Sequence, residues 1–169
     1  MPKSYIEVLV NDQPEEFLVA PGTTLLAALR EELGLTAAKR GCAQGTCGSC
    51  TCIVDGEAVM SCLVPVETIQ GADVRTLEGL SGDGGELDEL QAAFLEGFAT
   101  QCGFCTSGMI MAAQALLAEN PEPTREDVVR AISGNVCRCT GYESIINAIL
   151  DAAQRRKATG GVQYVEGGV

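Results

Sequence analysis

Ile6, Val8 and Val10 recur at every second position of residues 4–10, the period of a strand that buries one face. Asn11-Asp12 is a turn signal, and residues 16–20 return as a second strand. Pro21-Gly22-Thr23-Thr24 opens a helix through Leu33, with Thr23 or Thr24 as N-cap and Gly34 as its stop. A second hairpin is predicted from residues 51–54, a turn at Asp55-Gly56 and a return strand over 57–64. Residues 74–77 supply a last strand.

Beyond residue 80 the period changes. Residues 80–86 hold three glycines and read as a linker. Leu87, Leu90, Phe94 and Phe98 then recur at spacings of three and four, which predicts one buried helical stripe. A second helix is expected over 106–119, ended by Asn120-Pro121. Thr124 with Asp127 three residues on is a capping-box start for a third, ended by Ser133-Gly134-Asn135, and residues 142–157 make a fourth. The fold class is therefore α+β: a small mixed sheet of the β-grasp kind over residues 1–79, a four-helix domain over 80–159, and a Gly/Val-rich tail from 160 to 169.

Composition narrows the function. The chain has 169 residues, 46% of them apolar, as in a globular protein, and a net charge of −12. Its acidic residues are spread along it, so the basic patch that nucleic acid or an anionic membrane requires is missing. The basic run Arg155-Arg156-Lys157 reads as a helix-end dipole contact. No run approaches membrane-spanning length, and the start, Met-Pro-Lys-Ser, lacks the apolar stretch of a signal peptide. The expected compartment is the reducing cytoplasm, where nine clustered, unevenly spaced cysteines suit metal better than disulfides. The chain has no histidine, which removes imidazole zinc sites, Rieske centres and His-based catalysis.

Cys42, Cys47, Cys50 and Cys62 stand as C-x4-C-x2-C-x11-C, and the first three have plant-type [2Fe–2S] ferredoxin spacing. Glycines 41, 45 and 48 let the loop curl so that backbone N–H groups face a dianionic cluster. Cys62 is expected on the returning hairpin strand. Cys52 could replace Cys50 but would spoil the C-x2-C step, and its apolar surroundings suit a buried, inert thiol. Four thiolates also suit zinc, although zinc sites usually pair two C-x2-C units.

Cys102, Cys105, Cys137 and Cys139 form C-x2-C-x31-C-x-C. Each pair falls just before a predicted helix, whose free N–H groups and positive end favour a cluster that gains negative charge on reduction. Zinc would accept these four thiolates too.

The stretches Gly41-Cys42-Ala43-Gln44-Gly45-Thr46-Cys47-Gly48-Ser49-Cys50-Thr51, Gln101-Cys102-Gly103-Phe104-Cys105-Thr106-Ser107-Gly108-Met109 and Gly134-Asn135-Val136-Cys137-Arg138-Cys139-Thr140-Gly141-Tyr142 closely resemble the xanthine oxidase family of molybdenum hydroxylases, in particular their separate small iron–sulfur subunit. The resemblance spans about residues 4–157. It implies an N-terminal β-grasp ferredoxin-like domain and a C-terminal four-helix domain, each with one [2Fe–2S] cluster. Cys42, Cys47, Cys50 and Cys62 would hold the cluster nearer the surface and the flavin subunit; Cys102, Cys105, Cys137 and Cys139 would hold the one nearer molybdenum. The family pattern also nominates Gln101 and Cys139 as contacts to the pterin. It implies a large subunit with molybdopterin in its cytosine dinucleotide form, a medium subunit with FAD, and assembly as a heterohexamer. Electrons would run from the molybdenum site through the two clusters to flavin. Two departures, Cys52 for an aliphatic residue and Ser107 for a frequent proline, touch no ligand.

The rival readings are a free-standing two-cluster electron shuttle and a zinc-stapled interaction module. Nothing in the chain reads as a substrate site of its own.

Overall fold

The computed structural model describes residues 3–81 and 85–159; the tail 160–169 and the middle of the predicted linker lie outside them. Strands β1 (Ser4–Val10) and β2 (Gln13–Val19) form a hairpin in which Tyr5 faces Leu18 and Val10 faces Gln13. The turn between them takes left-handed angles at both Asn11 (φ 50°) and Asp12 (φ 65°), the twist that a two-residue hairpin turn requires. Strands β3 (Thr51–Val54) and β4 (Glu57–Met60) form the second hairpin around Asp55-Gly56. Strand β5 (Asp73–Arg75) joins the two, parallel to β1 and antiparallel to β3, giving the order β2-β1-β5-β3-β4.

Several predicted boundaries move. Strand β2 starts at Gln13, because the tight turn lets pairing begin at once. The helix after Thr24 is one α-turn, α1 (Leu25–Ala27), running into a π-helical segment at Ala28–Glu32. Thr24 caps it, its side chain accepting from Ala27 N–H. The return strand stops at Met60, so Cys62 sits not on the strand but in a 3₁₀ turn, Ser61–Leu63. The reason is a contact across the loop: Ser61 Oγ donates to Cys50 O at 2.7 Å and draws the chain over, and Pro65 has no N–H with which to continue a ladder.

The second domain holds α2 (Glu89–Glu96), α3 (Thr106–Glu119), α4 (Arg125–Ala131) and α5 (Glu143–Thr159). Of the predicted stripe, Leu90 and Phe94 are buried, but Leu87 and Phe98 are exposed. Asp88 and Gln91 close a capping box after Leu87, and the helix ends at Gly97, so both outer positions fall beyond it. The capping box at Thr124 and Asp127 forms as the sequence predicts. The basic run on α5 does more than meet a dipole: Arg155 pairs with Glu96, Arg156 with Asp88, and Lys157 with Glu122, tying α5 to α2 and to the segment before α4.

Each domain has its own core, Ile6, Leu29, Val66 and Val74 in one and Leu90, Phe94, Met109 and Ile149 in the other. Strand β3 is buried throughout: Cys52 and Val54 enter the first core, while Thr51 and Ile53 point the opposite way. The other face of β3 packs beneath α3, which is how the domains meet. Among the described residues, no helix is long and apolar enough to cross a membrane.

Candidate iron–sulfur centres

The loop from Gly41 to Cys50 lies between α1 and β3 and brings three thiols toward the turn that carries Cys62. Cys42 Sγ accepts from Thr46 N–H at 3.3 Å and Gln44 N–H at 3.5 Å, the inward-turned donors expected of a loop built around an anion. A hydrogen bond from the Thr46 side chain, with these two N–H groups, lowers the Cys42 thiol to about 6. Cys62 moves the other way, to about 11, through burial first and then its contact with Cys50. Glycine is required here by space as well as by angle. A β-carbon on Gly45 (φ 75°) would overlap Leu63, which lies beside this loop, and one on Gly41 would lie 2.8 Å from Cys47 Sγ.

The second group is assembled from two segments. Cys102 and Cys105 lead into α3, with Cys105 at its N-cap position, and Cys137 and Cys139 lie in the turn before α5. Cys137 N–H donates to the Tyr142 hydroxyl at 2.9 Å, and its Sγ lies 3.2 Å from Thr140 Oγ1. Burial works against the charged form of Cys137, yet the hydrogen bonds from Thr140 and Cys139 carry its thiol below the ordinary value. Cys105 is pushed up to about 12 by burial and by its contact with Cys137, so desolvation outweighs the helix end at this thiol. Cys139 is raised chiefly by its contact with Cys102.

The sulfurs come in pairs: Cys42 with Cys47, Cys50 with Cys62, Cys105 with Cys137, and Cys102 with Cys139 at 3.6 Å. Among the described residues, no three or more cysteines and carboxylates close around one point as the ligands of a single metal ion do. Four thiols in two pairs at each centre fit the donor set of a [2Fe–2S] cluster. Cys52 belongs to neither set. It is fully buried among Ile6, Val8 and Val74, and burial raises its thiol to about 12.

Gln101, Cys102 and Cys139 are exposed together on one side of the helical domain, whereas Cys50 and Cys62 are buried. The two centres touch through backbone: Val136 N–H, next to Cys137, donates to Cys47 O at 2.9 Å. Sequence reasoning read Asn135 as part of a helix stop and Tyr142 as a helix start, and gave neither these nor Thr140 the part they take in holding the cysteine segments in place. Their only signal was proximity to the C-x-C step.

A family model described as "2Fe-2S iron-sulfur cluster binding domain" matches residues 8–77, and one described as "[2Fe-2S] binding domain" matches residues 76–150. The nicotine 6-hydroxylase small subunit of Paenarthrobacter nicotinovorans is 48% identical over 87% of this chain and 88% of its own length. The xanthine dehydrogenase iron-sulfur-binding subunit of Escherichia coli is 44% identical over 89% of this chain and 95% of its own. Among solved structures, a chain of quinoline 2-oxidoreductase from Pseudomonas putida 86 matches with a TM-score of 0.90 and 47% identity, covering 96% of this chain and all of that one. With fold, paired thiols and relatives in agreement, the chain belongs to the small iron–sulfur subunits, carrying two [2Fe–2S] clusters, of the xanthine oxidase family of molybdenum hydroxylases.

Proposed function

We propose that this chain is the electron-transfer subunit of a molybdenum-dependent hydroxylase, in which it works beside a large molybdopterin subunit and a medium FAD subunit. The observation that carries this reading is the pairing of eight thiols into two centres that meet through the hydrogen bond from Val136 N–H to Cys47 O. When bound, the clusters supply one-electron carriers between the partner subunits' cofactors.

Cys42, Cys47, Cys50 and Cys62 hold the first cluster, and Cys102, Cys105, Cys137 and Cys139 the second. The N–H groups of Thr46 and Gln44 stabilise charge at the first, and the Tyr142 hydroxyl fixes the Cys137 peptide at the second. Leu63 packs beside Gly45 of the first loop, and the N–H donors of that loop set the cluster's environment. Gln101 and Cys139 meet the pterin; their exposure at the helical domain's surface supports that assignment. The domain boundary falls at residues 79/80, a placement supported by family models that meet at residues 76–77.

The relatives are named for nicotine, xanthine and quinoline, three different compounds, while the alignments run across nearly the whole of this chain. Substrate choice therefore rests with the large subunit. The cytosine dinucleotide form of molybdopterin, a cytoplasmic location and assembly from two three-subunit sets complete the proposal.

Purification of the untagged chain from its source tests it. Co-purifying larger subunits with molybdenum, flavin and iron, and visible absorption bleached by dithionite, are the expected result. Iron without partners would mean a free shuttle, and a colourless zinc protein would overturn the electron-transfer reading.

A further inference from the structure

The two cysteine segments converge on one carbonyl. Gly48 O, in the peptide between Gly48 and Ser49, accepts from Thr51 Oγ1 at 2.7 Å, Asn135 Nδ2 at 2.9 Å and Thr51 N–H at 3.0 Å. Two of these donors belong to β3. The third crosses from the helical domain, two residues before Cys137. Asn135 is only 5% exposed, and its Nδ2 also donates to Thr51 Oγ1 at 3.2 Å, so its amide has a single orientation that satisfies both acceptors. The fit is close on every side. A β-carbon on Gly48 would lie 2.6 Å from Gly134 O, and one on Gly108 would overlap the same Gly48 oxygen.

The peptide between Gly48 and Ser49 is trans and planar, so its N–H points away from the three donors that hold its oxygen. Donors on a carbonyl polarise the whole amide and make its N–H a stronger donor. Ser49 is buried between Cys47 and Cys50 in the first cluster loop. An N–H directed at a cluster stabilises the reduced, more negative state and raises its potential.

We propose that Asn135 is a positioning residue of the helical domain that holds up the potential of the β-grasp cluster, acting through the Gly48 carbonyl on the Ser49 N–H. The driving force between the two clusters is then set at the domain junction. The inference rests on the reading that Cys42, Cys47, Cys50 and Cys62 hold a [2Fe–2S] cluster.

An EPR-monitored redox titration of the intact assembly tests it, with Cys42→Ser identifying which signal belongs to the first cluster. Asn135→Ala and Thr51→Val each remove one donor from Gly48 O, and the latter keeps the side chain's shape. In each, the first cluster's reduction equilibrium is expected to shift about tenfold toward the oxidised state, about 59 mV for one electron. The second cluster should hold its value, and Thr51→Ser, which keeps the hydroxyl, should titrate like the unmodified protein. A first-cluster potential unmoved in both variants, or both clusters moving together, would overturn the inference. Absence of iron from the unmodified first centre would instead overturn the reading beneath it.

Discussion

The two cysteine centres solve one problem in opposite ways. The first takes three of its four thiols from one loop, whose shape comes from missing side chains: Gly41, Gly45 and Gly48 stand where a β-carbon would strike Cys47, Leu63 or the opposite domain. The second is built from two segments joined through a helical core, and its shape comes from side chains that are present: Tyr142 and Thr140 hold Cys137 from behind. The first buries Cys50 and Cys62 and leaves Cys42 and Cys47 half-buried, while the second buries Cys137 and leaves Cys102 and Cys139 exposed. A centre made by glycine should fail abruptly when space is filled. One held by props should degrade by steps as props are removed.

Gly48→Ala is expected to have the largest effect. The residue sits at φ 67°, and an added β-carbon would meet Gly134 O at 2.6 Å, so strain and collision add to about 3 kcal/mol or more. Iron analysis should show loss of the first cluster, with the helical domain's cluster surviving. Tyr142→Phe comes next: it removes only the oxygen that accepts from Cys137 N–H, at a cost of about 1–2 kcal/mol. Its EPR signature should change at the second centre alone. If Tyr142→Phe lost the second cluster as completely as Gly48→Ala loses the first, the contrast between the centres would fall.

Cys52→Ala sharpens the comparison by touching neither centre. Both clusters should remain, and urea unfolding should record a loss of about 1 kcal/mol, that of one small buried group. The smallest effect expected is on pH dependence. Arg75 holds the Asp12 carboxyl below the usual range at the exposed β1–β2 turn. A folded value below the unfolded one means that this contribution is present above the unfolded pKa, near 3.9, and disappears as pH falls through the folded value. Asp12→Asn should flatten the acid limb of a stability–pH curve slightly and leave both clusters' spectra alone.

The sequence carried the ligand spacing and the element order, because both are written locally. Strict alternation in residues 4–10, the Thr124–Asp127 box and helix α3 over Thr106–Glu119 all appear where the pattern put them. What it hid depends on tertiary contact. Cys62 left its strand because Ser61 bonds to Cys50 across the loop. Phe98 dropped out of the stripe because α2 ends at Gly97 and Phe98 itself turns left-handed, at φ 50°. Asn135 and Tyr142 carried no local sign of their roles, since their partners, Gly48 and the Cys137 peptide, are fixed only when the two segments fold together.

The central claim is that each group of four cysteines holds its own two-iron cluster. Iron analysis of the purified assembly, combined with EPR spin counting during stepwise dithionite reduction, tests it most directly. About four irons per small subunit and two distinct one-electron signals, each of about one spin, are the predicted result. About two irons with a single signal, or zinc at either centre, would contradict it.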